Sequence, residues 1–101
     1  MNILDQFKLQ LGWKKTRVLL EAVAASKVVQ ERGAEVDRCL AEYRSFLACN
    51  ELECAMNMLD QAGDIAGADP DYWERLAMAA SSMALTKDAD EFRHRASTTG
   101  S

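Results

Sequence analysis

An all-α fold, with about five helices set in antiparallel hairpins as a small bundle, is predicted by three features of this sequence. Apolar residues between the glycines and the single proline recur at helical spacing. Helix-start chemistry precedes several of these runs, as at Asp69-Pro70. No two segments alternate in a way that would let them pair as strands.

At the N-terminus, Asn2 followed by Asp5 resembles a capping box, and Ile3, Phe7 and Leu11 continue as a helix. Phe7, Leu9, Leu11 and Trp13 also alternate, but with no second strand to pair with, the helical reading wins. From Lys14 to Arg32, a broad apolar face is made by Val18, Leu19, Ala22, Val23, Ala25 and Val29. One unbroken helix over 3–32 would be roughly 45 Å long, against a radius of gyration of about 13 Å for a compact domain of this size. A bend or break near Gly12 is therefore expected, with 1–13 as a separate short helix.

Val36, Cys39, Leu40, Tyr43, Phe46 and Leu47 make the next stripe, opposite Asp37, Arg38, Glu42, Arg44 and Ser45. Asn50 is expected to cap the following helix, with Glu51 and Glu53 at its positive end. That helix carries Leu52, Ala55, Met56, Leu59 and Ala62, widened by Cys54, Met58 and Ile65. It is expected to bend at Gly63 and stop near Gly67. Asp69-Pro70 starts another, because a capping carboxylate precedes a proline whose missing N–H is not needed at the first helical position. Its stripe is Trp73, Leu76, Ala77, Ala80 and Ala84. Thr86 caps a last helix to about Ala96 with Phe92 as its bulky apolar residue. Residues 1–97 thus read as one helical domain and 98–101 as a flexible tail.

The 101 residues suffice for one core, and the apolar content of 49% with 28% charged residues is globular rather than disordered. The formal net charge of −4 is unevenly spread: residues 1–34 carry a net +3 and the remainder a net −7. No Lys or Arg lies between Arg44 and Arg75, a stretch that holds Glu51, Glu53, Asp60, Asp64, Asp69, Asp71 and Glu74. The acidic block points toward a basic partner, within another protein or in the basic first helix of the same chain, and makes nucleic acid an unlikely one. Three cysteines, Cys39, Cys49 and Cys54, are odd in number and sit in helical sequence. They suit buried free thiols and a cytoplasmic location. No run reaches a membrane span, and the first residues lack a signal-peptide core.

Sites of chemistry find little support. Asp60-Gln-Ala-Gly-Asp64 does not supply the D-x-D-x-D-G of an EF-hand, and the cysteines with His94 lack a C-x2-C knuckle. His94, between Arg93 and Arg95, has no evident nucleophile to serve. No catalysis, cofactor or metal is expected. Trp13, Lys14, Lys15 and Arg17 with Phe7 form the one basic, aromatic cluster, which leaves a membrane-surface or nucleic-acid contact as an alternative.

Residues 35–68 and 69–97 align as two helical hairpins, with Leu40, Tyr43 and Leu47 matching Trp73, Leu76 and Ala80 at a spacing of 33. Trp73, Leu76 and Ala77, followed by Ala89 and Ala96, resemble the start and later positions of a tetratricopeptide repeat. The earlier hairpin offers Ala55, Leu59 and Ala62, while Arg44 and Arg93 stand where that family has a small and a bulky apolar residue. The resemblance implies a concave groove lined by Arg38, Ala41, Ser45, Asp71, Glu74, Met78 and Ser82. It lacks the Lys/Asn clamp that holds a peptide carboxylate.

The expected function is a non-enzymatic module that binds another protein, as an adaptor, chaperone or inhibitor. The expected mode is a partner's basic or amphipathic helix laid on an apolar face with an acidic rim. The residues expected to meet it are Trp13, Arg38, Ser45, Asp60, Asp64, Asp71, Glu74, Met78 and Ser82. Small acidic helical-hairpin proteins of this kind resemble secretion chaperones. Self-association is a further expectation from the wide apolar face at 18–29, and a ligand-binding or enzymatic bundle is the alternative.

Overall fold

In the computed structural model, the backbone of residues 3–99 and the side chains of residues 14–99 are described. Among these residues there are five helices and no strand: α1 (Ile3–Ala24), α2 (Ala34–Ala48), α3 (Leu52–Ala66), α4 (Pro70–Ser82) and α5 (Thr86–Thr99).

The start of α4 is set as its sequence predicts. The Asp69 carboxylate accepts the Tyr72 N–H at 3.0 Å, and Pro70 occupies the first helical turn. The ends of α2, α3 and α4 share one device, a residue with positive φ just past the helix: Asn50 at 58°, Gly67 at 66° and Ala84 at 60°. In each case the next N–H turns back to a carbonyl five residues earlier: Glu51 to Phe46, Ala68 to Gly63 and Leu85 to Ala80, all at 2.9 Å. These are Schellman closures, which satisfy carbonyls that a helix end would otherwise leave bare. Asn50 therefore does not cap α3, as expected, but closes α2. Glu51 sits at the start of α3 with no side-chain cap bond.

Helices α2 and α3 form one hairpin and α4 and α5 a second; α3 touches α4, and α1 lies across α4 and α3. The shared core holds Leu20 and Val23 from α1, Val36 and Tyr43 from α2, Met56 and Leu59 from α3, Trp73 and Leu76 from α4, and Phe92 from α5. Helix α1 passes through Gly12 without the expected break, and no separate short helix is formed. Its 22 residues span about 33 Å, which the 46 Å long axis of the molecule accommodates. It ends at Ala24, well short of Arg32. There Ser26 folds the chain into turns through its hydroxyl, which accepts the Val28 N–H, and Val29 anchors the segment in the core. At the other end, α5 continues to Thr99, so residues 98 and 99 of the expected tail are helical, and residues 100–101 lie outside the described residues.

Helix α3 runs unbroken through Gly63. The glycine is buried within the helix, and a Cβ there would lie 2.5 Å from Tyr72 Cε1 and 2.9 Å from Trp73 Cη2. The missing side chain lets the aromatic start of α4 close onto α3. Of the cysteines only Cys39 is buried; Cys49 and Cys54 are exposed at the α2–α3 turn, against expectation. Cys49 lies past the last buried residue of α2, and Cys54 faces away from the α3 stripe.

Candidate interaction surface

The acidic residues of the basic-free stretch do not assemble into one rim. Asp60, half-buried on α3, takes the Arg95 guanidinium of α5 in an ion pair, and Asp64 lies 3.7 Å from the same group. The guanidinium also covers the Trp73 ring at 4.8 Å and the Phe92 ring at 5.9 Å from their centroids. Burial pushes the Asp60 carboxyl up from its ordinary range, against the pull of Arg95. Arg95 stays charged throughout, as an arginine in contact with two carboxylates does. The cation that answers this part of the acidic block is thus Arg95, not the basic first helix. Within α1, Arg17 instead donates to the Leu47 carbonyl near the end of α2 at 2.7 Å.

Asp71 and Glu74, the other acidic residues expected at the interface, lie on α4. Asp71 pairs with Arg75 one turn along at 2.8 Å, both exposed, and Glu74 is exposed nearby. Arg38 and Ser45 are exposed on α2. Among the described residues α2 and α4 do not pack closely, so the groove that the repeat resemblance implies does not bring Arg38 and Ser45 to Asp71, Glu74, Met78 and Ser82. Ser82 is engaged within the fold, sharing a hydrogen bond with Thr16 at 2.7 Å and donating to the Ala79 carbonyl at 2.7 Å. The side chain of Trp13 lies outside the described residues.

Large apolar side chains of α1 and α4 stand in water. Val18 on α1 is 65% exposed and Met78 on α4 is 53% exposed. Leu19, half-buried, lies with Met78 in a pocket of about 280 Å³ completed by Lys15, Ser81, Ser82 and Arg93. The pocket forms because α1 and α5 flank α4, giving it walls from all three helices. Met78 and Ser82 were expected in a groove with residues of α2; here they stand beside Lys15, Leu19 and Arg93, because periodicity says which face of a helix is apolar but not which neighbour stands beside it.

Among other depressions, one of about 700 Å³ runs along α5 by Thr86, Asp90 and His94, and one of about 290 Å³ lies between Arg38, Glu42 and Gln61. Among the described residues no His, Cys, Asp or Glu cluster is arranged to hold a metal, and no helix is long and apolar enough to cross a membrane. No protein-family model matches the chain, and no curated protein or solved structure matches it with significance.

Proposed function

We propose that this chain is a non-enzymatic helical module that binds another protein, seating a helical segment of its partner where α1, α4 and α5 meet. The supporting observation is the exposure of Met78 in a concave pocket shared with Leu19, with Val18 exposed one position before Leu19 on α1. Apolar side chains left in water next to a concavity cost solvation in the free protein, and a partner helix covers them by inserting anchors at i, i+3 or i+4. Most other large apolar side chains with described positions are buried or half-buried in the core, Ile65 at the end of α3 being an exception.

The experiment is capture from the source cell with the tagged chain, beside Met78→Glu and Val18→Glu, each confirmed as folded by circular dichroism. The wild type retains a specific protein, and each variant loses it at least about tenfold, since a charge buried at an interface centre is poorly tolerated. Retention of the same protein by both variants would place the contact elsewhere and overturn this reading.

A further inference from the structure

Resting on that reading, we propose that the helix seated on the α1–α4–α5 face is acidic along its flanks. Arg17 bonds the Leu47 carbonyl, Arg75 pairs with Asp71 at 2.8 Å, and Arg95 pairs with Asp60 and Asp64. At this pocket the cations are neutralised less closely. Lys15 forms one wall from α1, and among the described residues neither it nor the exposed Lys14 has a carboxylate partner. Arg93 forms the opposite wall from α5, donating to Ser81 Oγ at 3.2 Å with only a loose 3.8 Å contact to Asp90. Glu74, one turn from Met78, does not line the pocket. Leu19 and Met78 between Lys15 and Arg93 fit a helix whose apolar anchors are flanked by Glu or Asp.

The inference runs against the overall field of the molecule, which makes it discriminating. A chain of net charge −4 attracts basic peptides nonspecifically, so a preference for an acidic one has to come from a local site. A second copy docked by a two-fold axis is disfavoured for the same reason. Such an interface is self-complementary, and it would set Lys15 and Arg93 of one copy against the same cations of the other.

The test uses two labelled synthetic helical peptides of about eighteen residues, long enough to hold helical structure. They carry identical leucines at i, i+3, i+4 and i+7, with Glu flanks in one and Lys flanks in the other. Binding to the whole chain is read by fluorescence anisotropy at low and high salt. The acidic peptide binds about tenfold tighter or more, and salt narrows the difference. Lys15→Glu, and separately Arg93→Glu, reduce or reverse the preference, while Met78→Glu weakens the acidic peptide. If both peptides bind equally, or the Lys-flanked one better, with Met78→Glu still weakening them, the face binds helices but the acidic assignment is wrong. Binding that ignores Met78→Glu, or no binding of either peptide, overturns both the assignment and the docking reading. Concentration-dependent dimerisation of the chain alone that Met78→Glu abolishes makes a second copy the occupant, and overturns the assignment as well.

Discussion

The guanidinium of Arg95 lies 4.8 Å from the centroid of the Trp73 ring and bonds the Asp60 carboxylate at the same time. It joins α5 to α4 through the aromatic face and to α3 through charge. Helix α5 contributes only Ala89, Phe92 and Ala96 to the core, so apolar burial holds it along one narrow stripe. Arg95 adds a bond to the other hairpin, and with it fixes how α5 stands beside the pocket that Arg93 walls.

Replacing Arg95 by Ala leaves Asp60 half-buried without its cation and strips the cover from Trp73 and Phe92. A fully buried broken pair costs several kcal/mol. Here the two side chains are 36% and 29% exposed, so water screens part of the effect and the expected loss is about 1–2 kcal/mol. Urea unfolding of Arg95→Ala, Asp60→Asn and the double variant measures the coupling. Additive losses would show that the two residues do not interact in solution.

Asp60 also has a pH signature. Its carboxyl is raised in the folded state, chiefly by burial, above the ordinary 3.8. The folded protein therefore binds this proton more tightly than the unfolded chain does, and the contribution is full below 3.8 and lost as pH rises through the higher folded value. Asp60→Asn removes that term. The stability of wild type relative to Asp60→Asn is expected to fall as pH rises from 3.8, read from melting temperatures across the acidic range. A difference that rises with pH would mean that the Arg95 contact outweighs burial.

The helices were legible because their signals are local. The stripe Val36, Cys39, Leu40, Tyr43 and Leu47 is buried as its spacing predicts, as are Trp73, Leu76, Ala77 and Ala80, and Asp69 caps where it should. Asn50 misled because the same residue type serves two opposite roles, capping a helix start by its side chain or closing a helix end by its left-handed backbone. The pairing of Asp60 with Arg95 spans 35 positions, and nothing in either helix alone announces it. The pocket was not legible: Met78 and Ser82 were expected in a groove with residues of α2, and they meet Lys15 and Arg93 only because α1 and α5 flank α4.

Gly63→Ala separates helix propensity from packing. Alanine favours a helix interior by about 1 kcal/mol over glycine. Its Cβ, however, meets Tyr72, whose hydroxyl donates to the Leu59 carbonyl at 2.5 Å, and Trp73, which stacks on Phe92. Neither ring is free to withdraw, so the variant is expected to lose about 1–3 kcal/mol net in chemical denaturation. A gain in stability would show that α3 and α4 approach less closely than described.

Two of the three Schellman positions, Gly67 and Ala84, make a matched pair. Both have positive φ, 66° and 60°, and nothing lies within 4 Å of a Cβ at Gly67, so the backbone alone decides. Ala84→Gly relieves a left-handed alanine and is expected to add about 0.5–1 kcal/mol after the entropy of the new glycine is subtracted. Gly67→Ala is expected to lose about 1 kcal/mol. Opposite signs in thermal melts support the shared motif; equal signs do not.

The two core tyrosines differ in what their hydroxyls touch. The Tyr72 hydroxyl donates to the Leu59 carbonyl, whereas that of Tyr43 is buried with no hydrogen-bond partner among the described residues. Tyr72→Phe is expected to cost about 1 kcal/mol, the usual net value of such a bond. Tyr43→Phe removes an unsatisfied polar atom and is expected to leave stability unchanged or raise it by up to about 1 kcal/mol. Burial, with Glu21 adding to it and Arg17 opposing, pushes the Tyr43 hydroxyl up to about 12 from 10.0. The folded state thus holds this proton longer than the unfolded chain, and wild type loses stability between pH 10.0 and about 12 through a term that Tyr43→Phe lacks. Melts of the two proteins across that alkaline range should show the variant gaining on wild type as pH rises, and parallel curves would mean that Tyr43 is solvated.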